Sequence, residues 1–360
     1  MTIETLFFEL IQVAIGTRIC LSHTPSADEW GELYAMAEKQ SLVGVCFAGV
    51  HKLQTQRQEP PEMLYLTWMG MAAKIQQRNE AVNRQCAELQ AKLSADGLRS
   101  CILKGQAMAF LYSSHLASLR QSGDIDIWID GGFDVVNSWV QKISPTRKIN
   151  LHHIDLNIFP DTEVEAHYIP FVYHNYYKQK KLEAFFERLK SKCMDNNSCL
   201  NFSGPTEEFN HVFLLVHIFH HFLTEGVGLR QIMDYLFVVK NDINGNEIIN
   251  VKEMIQKLGL ARFTSAIMWV LGNVFGLPEE QMLFKANEND GKIVLERIMA
   301  QGNFGKQADD SLAKLRLTSR ALYRLKISVL YYRFDHSFWF WGLYDSIKTK
   351  LWQARNHYTK

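Results

Sequence analysis

The sequence contains few prolines and glycines and no repeats, and its acidic and basic residues are nearly equal in number. It has only 8 prolines and 21 glycines in 360 residues, and no low-complexity tract or fixed-period repeat. These absences exclude a largely disordered chain and a solenoid. The formal charge is +1, from 39 basic and 38 acidic residues. The whole molecule therefore has no general attraction for nucleic acid or another polyanion, and any such preference must be local.

Cysteine is scarce, and long apolar runs are missing. No two of the six cysteines form a C-x-x-C pair, so neither a disulfide framework nor a zinc ribbon is indicated. No apolar run reaches the roughly 18 residues of a membrane span. The first apolar stretch follows no basic cluster and contains Glu9, which is unlike a signal peptide. We therefore expect a cytoplasmic protein.

Hydrophobic residues make up 47% of the chain, enough for two or more packed cores. Helical periodicity, such as Trp30, Leu33, Tyr34 and Ala37, dominates both ends of the sequence. Between the ends, short alternating runs and glycines predict strands. We predict an α+β fold, in which a small mixed-sheet core (96–200) lies between an N-terminal helical region (1–95) and a C-terminal one (201–360).

Two aspartates share one face of a predicted strand over 123–129. Asp124 and Asp126 alternate with Ile125 and Ile127, so the carboxylates lie on one face and the isoleucines on the other. Their Cα atoms would be about 6.5 to 7 Å apart, close enough for both side chains to reach one divalent ion. A pair of solvated aspartates at a sheet edge is the alternative interpretation of this short motif.

Two later alternating segments favour the metal site. They place acidic and imidazole side chains on one face each, namely His153, Asp155 and Asn157, then Glu163, Glu165 and His167. An odd-numbered loop between them would set Asp155 opposite Glu165. Either could supply a third carboxylate, and three convergent carboxylates favour Mg²⁺ or Mn²⁺, which prefer oxygen ligands.

Basic residues close to these strands are candidates for binding phosphate. Lys104-Gly105 ends one predicted strand and begins a helix predicted over 106–112, where backbone amides can approach a phosphate. Arg120 is a second candidate. An ordinary turn and a solvated loop arginine are the alternatives, since a single Lys-Gly pair is a weak signal.

The segment after residue 200 carries a histidine-rich helix predicted over 209–223. His217 and His221 have the i, i+4 spacing of a zinc pair, but no third ligand accompanies them. Histidines in so apolar a helix, including His220, are more often hydrogen-bonded in a core or a cleft. Arg230 and Asp234 follow at the same spacing and predict either an intrahelical ion pair or a cleft contact.

The last segment, 312–360, is basic and aromatic. It has ten Lys and Arg against two Asp, with eleven aromatic residues. Such a segment could contact an anionic membrane surface or RNA weakly. Helical packing with lysine and arginine stems lying along apolar surface is the commoner explanation.

Several motifs in order resemble the uncharacterised nucleotidyltransferase family of the polymerase-β-like superfamily. The resemblance covers roughly residues 95 to 240. It lies in Leu103-Lys104-Gly105-x-Ala107, Arg120-x-x-Gly123-Asp124-Ile125-Asp126, His152-His153-Ile154, Val164-Glu165-x-His167, and Glu225-Gly226-x-Gly228-Leu229-Arg230-Gln231-x-x-Asp234.

The resemblance implies a role for each matching residue. Asp124 and Asp126 match the metal pair, Glu165 is the best match for the third carboxylate, and Lys104-Gly105 matches the turn near the β- and γ-phosphates. The turn carrying Arg230 and Asp234 would face the nucleotide. Gln106 departs from the Ser or Gly usual after that glycine, so the resemblance predicts a different mode of phosphate binding at this turn.

The implied activity is metal-dependent transfer of a nucleoside monophosphate from a nucleoside triphosphate to a hydroxyl of a small molecule or a protein, with release of pyrophosphate. Two alternatives stay open. One is a non-catalytic nucleotide- or metal-binding protein, and the other is a helical interaction protein that uses 312–360 on a membrane or RNA.

Overall fold

The computed structural model describes residues 2–144, 148–173, 175–195, 201–241, 243–302 and 332–336. Four helices precede the first strand: α1 (Ile3–Ile15), α2 (Ala27–Lys39), α3 (Val43–Leu53) and α4 (Glu62–Ala95). The next part runs β1 (Ser100–Ile102), α5 (Gln106–Ala109), α6 (Ser114–Ala117), β2 (Ile125–Ile129), α7 (Gly132–Ile143), β3 (His153–Leu156), β4 (Val164–His167) and α8 (Tyr176–Asp195). Then come α9 (Glu207–Leu223), α10 (Leu229–Lys240), α11 (Gly245–Lys257), α12 (Ala261–Phe275) and α13 (Glu288–Gln301).

The four strands form one mixed sheet in the order β1-β2-β4-β3. β2 is parallel to β4 and antiparallel to β1, while β3 and β4 form an antiparallel pair. The isoleucines of β2 are buried, so this strand lies in the middle of the core. The predicted α+β fold, a small mixed sheet with helical flanks, is confirmed.

The predicted elements differ from the observed ones mainly at their ends. The helix predicted over 106–112 ends at Ala109, and β2 begins at Ile125, so Asp124 precedes the strand. The hairpin register is confirmed, since Asp155 pairs with Glu165. The histidine-rich helix is confirmed as α9.

The N-terminal helices pack against the sheet region and support the segment that leads into β2. Ser26 and Glu29 form a capping box that begins α2. In the long helix α4, Trp68 donates a hydrogen bond to the carbonyl of Val43. Asn79 donates to the carbonyls of Ser118 and Arg120, which fixes the loop before β2 against α4.

Buried side chains of α9, α10, α12 and α13 continue the same core from the sheet into the C-terminal helices. The domain boundaries at residues 95 and 200 stay predictions. In the part of the chain that the structure describes, no single helix is both long and apolar enough to cross a membrane, although α11 and α12 pass that test together with a 120° bend between them. The basic aromatic segment 312–360 lies outside the described residues except for 332–336.

Candidate active site

Adjacent parallel strands bring two of the predicted carboxylates together. Asp126 on β2 is the register partner of Glu165 on β4. Oxygens of these two carboxylates and a nitrogen of His167 lie within 4.8 Å of one another. Asp155 lies one strand further out, opposite Glu165. Glu165 is therefore the strand neighbour of Asp126, whereas Asp155 is not.

The two oxygens of Asp126 have different surroundings. Its side chain is only 1% exposed, and Oδ1 lies 3.0 Å from Lys104 Nζ and 3.0 Å from His167 Nε2. Oδ2 is buried and has no hydrogen-bond partner among the described residues. A buried carboxylate oxygen without a donor is costly. A divalent ion shared with Glu165 would satisfy it, so the residues present fit Mg²⁺ or Mn²⁺.

The charged side chains around Asp126 shift one another's pKa values. Burial disfavours the charged form of His167, but hydrogen bonds to Asp126 and Glu165 outweigh it and raise the pKa of His167 to about 9. Burial opposes the charged carboxylate of Glu165, but His167 and the charge of Lys104 lower its pKa to about 2. The charges of Asp126, Asp124 and Glu165 likewise overcome burial and raise the pKa of Lys104.

Asp124 is not one of the three residues in the group of Asp126, Glu165 and His167. It lines a narrow cleft together with Lys104, the ion-pair partner of Asp126. The cleft has a volume of about 40 Å³, and its polar lining is Lys104, Gly105, Arg120, Gly123, Asp124, His217, Arg230, Gln231 and Asp234. Asp124 exerts its charge on both Lys104 and Arg230. Gly105 has a φ of +61° at this turn, a conformation that side chains rarely adopt.

Arg120 and Asp234, both predicted to face the nucleotide, bind each other. Arg120 donates through Nε and Nη2 to the two carboxylate oxygens of Asp234, at 2.7 Å each. The Tyr112 hydroxyl donates to Asp234 Oδ1 at 2.6 Å. Arg230 donates through Nη1 to the carbonyl of Gln121 at 2.8 Å. This buried network joins α10 to the loop before β2.

Gln106, the departure from the family pattern, is 3% exposed. Its side-chain amide donates to Asn83 Oδ1 on α4. The Gly105 turn is thereby tied to the N-terminal helices.

Two histidines contact site residues that the sequence did not identify as their partners. His217 Nε2 lies 3.1 Å from Lys104 Nζ, and burial together with the Lys104 charge lowers the pKa of His217. A neutral His217 accepts a hydrogen bond from the lysine and helps to position it. His167 was visible only as part of the alternating face of Glu163 and Glu165, and its contact with Asp126 depends on the pairing of β2 with β4.

A larger cavity of about 460 Å³ is lined in part by Glu165. Its lining includes Asn150, His153, Asp155 and Glu163. Asn150 donates to Asp155 Oδ1 at 2.9 Å. Glu165 thus lines this larger polar cavity, whereas Asp124 lines the narrow cleft.

Comparison with known proteins agrees with this geometry. The sequence model of a family described as uncharacterised nucleotidyltransferases matches residues 26–276, more than two thirds of the chain. No curated protein and no solved structure matches the chain significantly. The match includes the sheet, the carboxylate pair and the cleft up to α12. The chain therefore belongs to the uncharacterised nucleotidyltransferase family.

Proposed function

We propose that this protein transfers a nucleoside monophosphate from a nucleoside triphosphate to a hydroxyl acceptor, a small molecule or a protein, and releases pyrophosphate. Asp124, Asp126 and Glu165 hold Mg²⁺ or Mn²⁺ in this proposal. Family membership supports nucleotidyl transfer in general. The metal dependence, the residues and the acceptor class are our inference, as is a cytoplasmic location.

The observation that carries the proposal is the Oδ2 atom of Asp126, which is buried beside Glu165 and has no hydrogen-bond partner in the described part of the chain. Two carboxylates with a free buried oxygen between neighbouring strands suit a hard cation better than a purely structural role. The bound ion would lower the pKa of the acceptor hydroxyl and stabilise charge on the departing pyrophosphate.

In this proposal the residues around the carboxylates bind the triphosphate and hold the site in shape. Lys104 and Arg230 line the cleft next to Asp124 and offset negative charge on the triphosphate. The amides after Gly105 approach its phosphates. Arg120 and Asp234 hold the loop before β2 in place through their ion pair. Glu165 is ionised at neutral pH, which suits a metal ligand, while its low pKa makes it a weak base for the proton of the acceptor hydroxyl.

The small size of the cleft favours a second candidate, a protein that binds nucleotide or metal without turnover, because it leaves little space for an acceptor beside a bound phosphate. Ligand pockets usually enclose about 300 to 1,000 Å³, and this cleft encloses about 40 Å³. A nucleoside triphosphate fits only if the cleft opens or if most of the nucleotide lies outside it.

Replacement of Asp126 by asparagine tests the proposal. Labelled pyrophosphate release should be followed with all four triphosphates, Mg²⁺, and cell lysate or a metabolite pool as acceptor. We expect D126N to lower release at least about 100-fold, because the metal loses a charged ligand worth several kcal/mol. D134N, at an exposed aspartate of α7, should leave the rate unchanged.

Two outcomes would contradict the proposal. Undiminished release by a folded D126N protein would refute the metal assignment. Tight binding of a Mg²⁺-triphosphate by the wild-type protein without release on any acceptor would favour the second candidate.

A further inference from the structure

Three histidines meet at one end of the β3–β4 hairpin. His153 and His167 are register partners, and the carbonyl of His152 accepts a hydrogen bond from the Tyr168 amide. The His152 ring centroid lies 4.5 Å from that of His153 and 5.2 Å from that of His167. One nitrogen of each ring lies within 4.8 Å of a nitrogen of the other two.

Carboxylates face the same nitrogen of two of these rings. His153 Nε2 lies 3.2 Å from Asp155 Oδ1, and His167 Nε2 lies 3.0 Å from Asp126 Oδ1 and 3.3 Å from Glu165 Oε2. The Nδ1 atoms of both rings are buried and have no hydrogen-bond partner among the described residues.

This arrangement is typical of histidines that bind metal. A ligating histidine almost always donates its other N–H to a carboxylate, a carbonyl or a water, which fixes the ring and makes the ligating nitrogen more basic. In the metal-bound form Nε2 of each ring would donate to Asp155 or Asp126, which leaves the lone pair of Nδ1 for the ion. For His153 this requires the Asn150 amide, whose nitrogen lies 2.7 Å from Nε2, to turn away. Two rings whose buried Nδ1 atoms have no hydrogen-bond partner among the described residues thus lie next to a third imidazole, that of His152.

We propose that His152, His153 and His167 bind a transition-metal ion, with Zn²⁺ as the leading candidate. Three imidazoles suit zinc, whereas Mg²⁺ and Mn²⁺ prefer oxygen ligands. This ion is therefore chemically different from the one proposed at Asp124, Asp126 and Glu165.

Binding requires only small movements of the three rings. Zinc–nitrogen bonds of about 2.0 to 2.1 Å place the nitrogens of a tetrahedral site about 3.4 Å apart. The rings would draw together from separations of up to 4.8 Å. Three protein ligands leave the fourth position for water or another ligand.

The local charge can accommodate the ion. The zinc ion takes the place of a proton on the His167 ring, and that proton leaves to solvent. The carboxylates of Asp126, Glu165 and Asp155 offset the added charge and that of Lys104. Because Nε2 of His167 still faces its carboxylates, both metal sites can be filled together.

Zinc titration of the full chain, stripped of metal with a chelator and free of nucleotide, tests the site. Calorimetry in a large excess of Mg²⁺ should show one zinc ion per chain. H152Q should weaken binding about 100-fold or more, since loss of a ligand costs at least as much as loss of an outer partner. H115Q, at an exposed histidine of α6, should bind as the wild type does.

His152 is the residue to replace because it belongs to the three-histidine site and not to the neighbouring group of Asp126, Glu165 and His167. A loss of zinc binding in H152Q therefore reports on the three-histidine site. A folded H152Q protein that binds zinc as tightly as the wild type would overturn the proposal. Substitution of Co²⁺ into the wild-type chain is independent of any variant. We expect the intense visible bands of a tetrahedral, nitrogen-ligated ion, and the weak bands of an octahedral, oxygen-ligated ion would overturn the assignment. Neither result depends on nucleotidyl transfer.

Discussion

Lys104 and His167 neutralise Asp126 and Glu165 before any metal binds. Both cationic groups contact the same oxygen of Asp126. These two cations and two carboxylates together have no net charge. A divalent ion would therefore add two uncompensated positive charges, and the negative charge of a triphosphate would offset them. We therefore infer that the ion binds at the carboxylates together with the nucleotide, and that Lys104 moves from Asp126 toward phosphate when they do.

The raised pKa of His167 predicts how stability depends on pH. The imidazole titrates at about 9 in the folded protein and near 6.5 when unfolded. The ion pairs of His167 therefore stabilise the fold fully below pH 6.5, and this contribution is lost as the pH rises through 9. It amounts to on the order of 3 kcal/mol.

Urea unfolding of metal-free wild-type protein and of H167Q at pH 6.5 and pH 9.5 measures this contribution. We expect the wild-type chain to lose more stability than the variant over this interval. Other groups that titrate in this interval affect both proteins alike, so they drop out when the changes in unfolding free energy are subtracted. One such group is the buried thiol of Cys46, whose pKa is raised by burial. If both proteins lost the same free energy of unfolding between pH 6.5 and pH 9.5, His167 would be neutral in the folded protein.

Among the elements, α10 and the loop before β2 are joined by the Arg120 and Asp234 ion pair. Both side chains are almost fully buried. A buried pair of this kind stabilises little compared with apolar packing, but loss of one partner leaves the other charge buried and uncompensated.

D234N should therefore destabilise the protein by about 3 to 5 kcal/mol. Y112F removes only one hydrogen bond to the same carboxylate and should cost about 1 to 3 kcal/mol. Denaturant unfolding of both variants gives these values. Equal losses for D234N and Y112F would mean that the charge of Arg120 is solvated rather than held by Asp234.

Across the whole molecule, the N-terminal helices pack closely on the part that carries the site. A Cβ atom added at Gly44 in α3 would lie 2.2 Å from the carbonyl oxygen of Leu119, next to Arg120. Gly31 in α2 has nothing within 4 Å of such an atom. The first of these two helical glycines is therefore required by a close contact, and the second is not.

G44A should destabilise the protein by about 1 to 3 kcal/mol through overpacking. G31A should stabilise it by about 0.5 to 1 kcal/mol, because alanine favours helix. Thermal or urea unfolding tests the contact, because the two substitutions should change the stability of the protein in opposite directions. Stabilisation by both substitutions would show that α3 is not packed against Leu119.

Much of the sheet could be predicted from local sequence because side chains alternate along a strand. The period of two placed Asp126 and Glu165 on polar faces, and the loop length set Asp155 opposite Glu165. Element ends were less accurate, since β2 begins after Asp124. Contacts of Arg120, His167 and His217 could not be predicted, because their partners are 41 to 114 residues away.

The sequence by itself determined the α+β class, the four strands in their order along the chain, and the family, since these depend on periodicity and on motifs within short segments. Only the tertiary structure decided that β4 lies between β2 and β3. That strand order makes Glu165 the neighbour of Asp126 and brings His167 to the same carboxylate. Strand order depends on how the helices bury both faces of the sheet, a property of the whole chain that local alternation does not contain.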